Sequence, residues 1–299
     1  MPALMSVRSP AATSHSIDHD IETARAHPSV RAIVIPPCPD SLVRLQEIAS
    51  APELDSQALE QLASSDVAMA AALIRTANSP LYGLAQPVQT VGMALTVLGL
   101  QPALELLSAF ITRNALHVRT PLLEHFWESS QRKAIACEYI GRQLYSFDPG
   151  LGYSFGLFCH VGMPVLVKAV RGYAGTVTEA LARKDRTFTQ TENAAHRTDH
   201  AVMGAIVART WHLPPDVAQA IWLHHDFSCL SDTRFDATVR HLVALGLLAE
   251  YLVHHHENLT PTREWTLHGQ ACMDHLHVTQ VELNHWIDEL YPAFEAVAL

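Results

Sequence analysis

Three short groups of metal-competent side chains lie in otherwise apolar segments of the second half of the sequence. They are Cys159-His160, the single His200, and the pair His224-His225. Neutral imidazoles and thiolates are good ligands for zinc and other transition metals. Taken singly, however, histidines near helix ends are more often hydrogen-bonded or solvent-facing side chains than ligands. A metal site therefore requires a fold that brings these groups together.

The segments that carry these groups show helical patterns. Phe155 to Val170 is nearly all apolar and is interrupted by Gly162 and Pro164, which predicts a buried helix with a kink. The other helices predicted around the groups cover His200 to Trp211, Pro215 to His225 and Ala237 to His256. No strand pattern competes with them, so the sequence predicts an all-α fold.

The first half of the sequence predicts a separate helical bundle. Three prolines between Ile35 and Pro39 impose an extended entry, and apolar residues at helical spacing follow from Leu42 onwards. Thr120-Pro121 breaks the helical pattern, which places a subdomain boundary near residue 117. The predicted parts are a partly flexible N-terminal extension (1–34), an N-terminal helical subdomain (35–116), a second helical subdomain (117–256) and a C-terminal helical extension (257–299).

Composition narrows the classes of partner and the compartment. The net charge of -10, from 20 basic and 30 acidic residues, provides no basic patch for nucleic acid and would be repelled by an anionic membrane. The five cysteines are scattered without CxxC spacing, which favours a reducing compartment over a disulfide framework. The N-terminus lacks the apolar run of a signal peptide. We therefore expect a cytoplasmic protein that binds neither nucleic acid nor membrane.

An ordered series of short motifs resembles the HDOD family, helical output domains related to HD-type phosphohydrolases. The motifs include Ile35-Pro36-Pro37-x-Pro39, Thr76-Ala77-Asn78-Ser79, Phe126-Trp127-x-x-Ser130, Gly156-Leu157-Phe158 and Ala220-Ile221-x-x-His224-His225. The likeness extends over residues 33 to 255. It implies an all-α fold of two parts, an N-terminal helical bundle and an HD-like helical bundle, used mainly in bacterial signalling.

The resemblance also implies where a metal site would lie. In the catalytic relatives, a His-Asp doublet and further His and Asp residues bind one or two divalent metals that activate water for phosphoester cleavage. The doublet position here holds Cys159-His160, and only His200, His224 and His225 keep the expected residue types. The positions of this degenerate site are Ser129, Cys159, His160, His200, His224, His225 and Leu247. Because imidazole cannot bridge two metals as a carboxylate does, the resemblance argues against two-metal hydrolysis.

The retained groups leave two interpretations open. Cys159, His160, His200 and one of the adjacent histidines, His225, form a Cys-His₃ set that would suit structural zinc. Alternatively, the histidines form a partly buried cluster joined by hydrogen bonds and water, and no cofactor is bound. The second interpretation is the simpler one; zinc or another divalent metal is the alternative.

Asn78, Ser79 and Tyr82 form a second candidate surface, for a ligand or a partner. The same residues are also typical of a helix stop whose amide satisfies local backbone groups. Both interpretations stay open at the level of sequence.

The function that these observations favour is a noncatalytic regulatory module that offers a groove between its two helical parts to a signalling protein or a small ligand. One alternative is a metal-dependent phosphohydrolase acting on a nucleotide or cyclic dinucleotide through a remodelled site. Another is a nucleotide sensor that binds without hydrolysis.

Overall fold

In a computed structural model, helices are the regular secondary structure of the described part of the chain, and that part contains no strand. The all-α prediction is therefore confirmed. The structure describes residues 21–22, 26, 28–116, 118, 120–183 and 185–297. Most of the predicted N-terminal extension lies outside the described residues; a four-residue helix, α1 (Pro28–Arg31), belongs to its described part.

Two compact units make up the described chain. The first consists of Pro36–Arg132 together with the described residues from Glu289 onwards. Its helices are α2 (Asp40–Ala49), α3 (Ser56–Ser64), α4 (Val67–Ala77), α5 (Val91–Leu98) and α6 (Leu100–Ala115). Asp55, Asp66 and Thr90 begin α3, α4 and α5 by accepting hydrogen bonds from backbone N–H groups of the first turn. The apolar faces of these helices pack on one another through Leu42, Leu45, Leu59, Leu73 and Leu107.

The helix stop after α4 uses the Asn78 side chain as an internal clamp. Its Nδ2 donates to the Val88 carbonyl at 2.8 Å, and its Oδ1 accepts from the Val88 N–H at 2.7 Å. A 3₁₀ turn, Pro80–Tyr82, lies within the loop closed by this pair. The Asn78 amide is therefore paired within the chain. Ser79 is buried beside it, and Tyr82 is half-buried.

The second unit consists of Lys133–Asp288 together with the described residues before Pro36. Its helices are the later part of α7 (Phe126–Gln143), then α8 (Pro149–Phe158), α9 (Gly162–Ala169), α10 (Tyr173–Ala182), α11 (Phe188–His196), α12 (His200–Thr210), α13 (Pro215–Leu223), α14 (Ala237–His256), α15 (Arg263–Leu276) and the start of α16 (Gln280–Glu295). Short 3₁₀ turns, Pro121–Leu123 and Phe227–Ser231, precede α7 and α14. The two units divide within α7, after Arg132, whereas the sequence pattern places a subdomain boundary near residue 117.

The segment predicted as one kinked helix is two helices, α8 and α9, with His160 in the link between them. Proline explains the break, because Pro164 has no N–H to donate to the carbonyl four residues earlier, which is that of His160. That carbonyl accepts from the Met163 N–H at 2.9 Å instead. His160 therefore lies in a short irregular link, where the direction of its side chain is not set by helix geometry.

Glycines let the helices around this link approach closely. A Cβ atom on Gly162 would lie 2.1 Å from the carbonyl oxygen of His200 and 2.7 Å from the nitrogen of Gly204. A Cβ atom on Gly156 would lie 2.6 Å from the Cα atom of Ala134. The backbone of α9 therefore touches α12, and α8 touches α7, because these positions carry no side chain.

The apolar stretch Pro149–Ala169 is long enough and apolar enough to pass a composition test for a membrane-spanning helix, yet 67% of its most apolar window is buried inside the protein. Such burial is typical of the core helices of a soluble domain. The break at His160 divides this stretch in two.

Replacing Gly162 with alanine is expected to destabilise the second unit by about 1 to 3 kcal/mol, because the added methyl group overlaps the backbone of α12. The matched control is Gly175→Ala in α10, where nothing lies within 4 Å of the added Cβ. This control should be stabilised by about 0.5 to 1 kcal/mol through helix propensity alone. Thermal or urea unfolding of both variants measures the difference; equal stabilities would contradict the close approach of α9 to α12.

Candidate metal centre

Four histidines come together in the second unit. His160, His200, His224 and His225 each place one ring nitrogen within 4.8 Å of the others. His160 lies in the α8–α9 link, His200 is the first residue of α12, and the adjacent pair directly follows α13. Among the described residues, this is the group of histidine, cysteine and acidic side chains with the spacing of a metal site.

Three of the imidazole nitrogens converge on one point. The Nε2 atom of His200 lies 3.2 Å from Nε2 of His224 and 3.0 Å from Nε2 of His225. Two nitrogens bound to one tetrahedral zinc at its usual bond length would be about 3.3 Å apart. The ring centre of His160 is 5.1 Å from that of His224 and 5.4 Å from that of His200, but 6.3 Å from that of His225, and its side chain is 23% exposed.

The adjacent histidines are each oriented from behind by an acceptor. Nδ1 of His224 donates to the Ile221 carbonyl at 2.6 Å, and a carbonyl can only accept, which fixes the tautomer of this ring. Nδ1 of His225 lies 2.7 and 2.9 Å from the two carboxylate oxygens of Glu264. With the proton on Nδ1, each ring directs the lone pair of Nε2 into the group, which is the form that binds a metal.

His200 is held by a buried carboxylate. Its Nδ1 donates to Glu192 at 2.8 Å, and its backbone N–H donates to the other oxygen of the same carboxylate at 3.3 Å. The hydroxyl of Tyr173 donates to Glu192 as well. The side chains of His200 and Glu192 are both 0% exposed. This arrangement fixes the His200 ring in one orientation, with Nε2 towards the other histidines.

Burial and neighbouring charges favour neutral rings at two positions. Burial, with Lys133 and the nearby histidines, lowers the pKa of His160 well below its usual value. Burial and His225 lower the pKa of His224 in the same way. At His225 burial also acts to lower the pKa, but the adjacent Glu264 carboxylate raises it above its usual value. Neutral imidazole is the ligand form, so the first two rings are ready to bind a cation.

A buried ion pair lies beside the histidines. Nζ of Lys133 on α7 is 3.0 Å from Oε2 of Glu250 on α14, and the same oxygen is 4.0 Å from Nε2 of His160. Burial alone would lower the pKa of Lys133, but Cys159 and Glu250 raise it above its usual range. Lys133 and Glu250 thus form a buried ion pair in which each charge compensates the other.

The structure does not bring Cys159 into the group. Its thiol is fully buried, and burial raises its pKa to about 11, which disfavours the thiolate that binds zinc. Its neighbour His160 reaches the group because consecutive residues point in different directions. Of the two interpretations left open by the sequence, the Cys-His₃ set is not assembled here; the group consists of four histidines, in which His224 and His225 both take part.

The other two positions named by the resemblance fall one helical turn from the residues that the structure uses. Leu247 is buried in the apolar core, and Ser129 lies in the part of α7 that belongs to the first unit. Lys133 follows four residues after Ser129, and Glu250 three residues after Leu247. The buried ion pair of Lys133 and Glu250 thus lies one helical turn beyond the two positions that the resemblance names.

Sequence reasoning also missed Glu192 and Glu264, the two carboxylates behind the histidines. Both lie on helices, α11 and α15, that were not assigned individually. Thr187 and Gln190 form a capping box that begins α11, and Thr262 caps α15. These start signals could have located the helices, although not the direction in which their carboxylates point.

Known proteins share this fold. A family model for the HDOD domain matches residues 35–227. An uncharacterized protein of Treponema pallidum (strain Nichols) is 24% identical over 195 residues, which are 64% of this chain but only 38% of that protein. The chain thus spans well under half the length of that relative.

Solved structures of low identity superpose on almost the whole chain. An HDOD domain protein of unknown function from Geobacter sulfurreducens covers 95% of this chain and is itself covered to 99%, with a TM-score of 0.73 and 20% identity. A “Putative signal transduction protein” from Marinobacter aquaeolei VT8 covers 95% and is covered to 67%, with a TM-score of 0.73 and 20% identity. A “Putative phosphohydrolase” from Shewanella amazonensis SB2B covers 94% and is covered to 96%, with a TM-score of 0.68 and 16% identity.

At these identities, the solved structures show the fold alone. The family model, in contrast, matches well over half of the chain. The protein belongs to the HDOD domain family.

Proposed function

We propose that this protein is a noncatalytic regulatory module of bacterial signal transduction, and that one transition-metal ion held by His160, His200, His224 and His225 stabilises its second unit. The observation that carries the proposal is the spatial arrangement of the histidine and carboxylate side chains. Every donor within the group is an imidazole, and the nearby carboxylates stand behind the rings or are paired with lysine.

Four imidazole donors suit a structural metal better than a catalytic one. Structural zinc takes four protein ligands, whereas catalytic zinc takes three and keeps one position for water. Two-metal hydrolysis also needs an anionic oxygen between the ions, and Glu250 is engaged by Lys133. Neutral nitrogen donors favour zinc, iron, nickel or copper over magnesium or calcium.

The charges around the group fit one divalent ion. Glu192 and Glu264 each place a carboxylate behind a histidine, so two negative charges face the point where the Nε2 atoms converge. A divalent cation balances these charges, while Lys133 and Glu250 balance each other. Buried charges are costly unless they are compensated in this way.

The regulatory part of the proposal rests on membership of the HDOD family and on the net charge, which favours some classes of partner over others. The net charge of -10 favours a protein partner or a small ligand over nucleic acid or an anionic membrane. The described cysteines are all free thiols, in keeping with the cytoplasm. A signalling protein is the partner we propose, with a small nucleotide as the alternative ligand and Asn78, Ser79 and Tyr82 as the candidate surface.

One observation favours a second function, a metal-dependent phosphohydrolase. His160 stands farther from His225 than the other rings do, and its side chain is partly exposed. Three close histidines with an accessible fourth position would be a catalytic arrangement. Two of the similar structures, both from Shewanella amazonensis SB2B, carry phosphohydrolase names.

Metal content tests the centre directly. Protein purified without an affinity tag should contain about one transition-metal ion per chain, and His200→Ala should lose it. The matched control is His255→Ala, which removes an exposed histidine outside the group. Removing a metal present at about 1,000 times its dissociation constant takes away about 4 kcal/mol, so a chelator should lower the melting temperature by roughly 10 °C. Metal that persists in His200→Ala, measured by elemental analysis, would contradict the assignment.

An assay of phosphoester hydrolysis distinguishes the regulatory module from the phosphohydrolase. Metal-loaded protein should show no turnover of a generic phosphodiester, a guanosine polyphosphate or a cyclic dinucleotide with zinc, manganese or iron. Turnover that disappears in His200→Ala and persists in His255→Ala would establish the phosphohydrolase and end the noncatalytic proposal.

Glu192→Gln should weaken metal binding about 10- to 100-fold, because the amide still accepts from His200 Nδ1 but no longer adds charge to the ligand. A chelator competition assay gives the dissociation constant, and the melting temperature of the metal-free protein reports any separate loss of stability. Glu179→Gln, at an exposed carboxylate on α10, is the control. Equal affinities of the two variants would show that Glu192 does not act through His200.

A further inference from the structure

Helix α15 lies outside the residues that the HDOD family model matches, yet it supplies a carboxylate to the four-histidine group. The match ends at residue 227, and α15 covers Arg263–Leu276. Glu264, in the first turn of α15, places its two carboxylate oxygens 2.7 and 2.9 Å from Nδ1 of His225. A segment beyond the matched domain therefore holds one of the four rings in position.

The two halves of α15 are anchored differently. Buried side chains anchor the second half, and they include Cys272, Met273 and Leu276. Within residues 263–268, in contrast, no side chain is buried. Segments with few buried apolar contacts open locally at a lower free-energy cost than the core does. The first half of α15 is thus the part that can lift while the second half stays packed.

Three contacts hold the first half of α15 against the rest of its unit. The ring of Trp265 stacks on that of Tyr251 in α14, with ring centres 4.0 Å apart. The ring of His268 stacks on that of Phe227, with ring centres 4.6 Å apart. The third contact is the carboxylate–imidazole pair just described. All three side chains lie within five consecutive residues of one helix, so lifting this segment breaks the three contacts together.

We propose that residues 263–268 form a latch whose closure is coupled to metal binding by the four histidines, with Glu264 as the positioning residue that acts through His225. The inference rests on the proposed function, in which these histidines hold one ion. A carboxylate behind a ligating imidazole fixes the ring and makes its other nitrogen a better donor. Closure of the latch therefore tightens metal binding, and by thermodynamic reciprocity the bound ion favours closure by the same factor. Anything that holds the latch open weakens the centre.

Zinc affinity of the full-length protein, measured by chelator competition at a fixed pH, tests the coupling. Glu264→Gln should weaken zinc binding about 10- to 100-fold, because the ring loses the charge behind it. Trp265→Ala leaves every histidine and carboxylate in place but removes the stack on Tyr251 that closes the latch, so it should weaken binding several-fold. In the Glu264→Gln background, Trp265→Ala should cost no further affinity, since its effect passes through the same carboxylate. Leu267→Ala, which shortens an exposed side chain of the latch, is the control and should bind zinc as the wild type does.

Hydrogen exchange followed by mass spectrometry provides a second measurement, which needs no variant. Saturating zinc should slow amide exchange in the latch of the wild type by about the same 10- to 100-fold factor. In Glu264→Gln saturated with zinc, exchange in α12, which carries His200, should still be slowed, whereas the slowing in the latch should be lost. A contact that only stabilised the fold would not separate these two segments.

Each outcome decides between the latch and the centre. Equal zinc affinities of the wild type, Glu264→Gln and Trp265→Ala overturn the latch while leaving the metal centre in place, and so does latch exchange that zinc does not slow. Additive losses in the double variant overturn the coupling through Glu264. No zinc in the wild type overturns the centre itself. If a variant does not fold, as circular dichroism would show, exchange in the wild type with and without zinc decides alone.

Discussion

The hydrogen bond between the buried carboxylate of Glu192 and Nδ1 of His200 is the interaction on which the centre depends. Both side chains are fully buried, so the carboxylate must be satisfied inside the protein. It accepts from the His200 ring, the His200 backbone and Tyr173, which joins α10, α11 and α12 at one point. The same contact leaves Nε2 of His200 facing the other histidines. One constraint therefore fixes both the packing of three helices and the direction of a ligand.

Local features of the backbone at helix ends position the other three histidines. Pro164 interrupts the apolar stretch so that His160 lies in a link, and Gly162 lets that link approach the start of α12. The end of α13 places His224 and His225 on consecutive residues, with the first ring fixed by a backbone carbonyl. The centre is thus built from helix ends, where the direction of a side chain depends on how the helix stops.

The fold could be predicted from the sequence, whereas the charged surroundings of the centre could not. The ordered motifs and the helical periodicity gave the all-α class and the family, and the residue types singled out His160, His200, His224 and His225. The family resemblance placed the other two positions at Ser129 and Leu247, one helical turn from Lys133 and Glu250. A shift of three or four residues keeps the same helix face, so periodicity cannot detect it. Cys159 lies outside the histidine group for a different reason: it is adjacent to His160 in the chain but points in another direction, and no pattern in the sequence shows which of the two residues faces the group.

In the correspondence that the resemblance implies, His160 stands where catalytic relatives have an aspartate, and the difference in charge matters more than the loss of one ligand. A bridging carboxylate holds two divalent ions together by lying between them, and a neutral ring offers one lone pair to one ion. In this protein the carboxylates of Glu192 and Glu264 lie behind the rings of His200 and His225, where they orient them. Lys133 supplies a fixed positive charge beside Glu250. Under the proposed function, this helical scaffold holds one ion that joins helix ends, and the stability of the second unit is then the property that the metal controls.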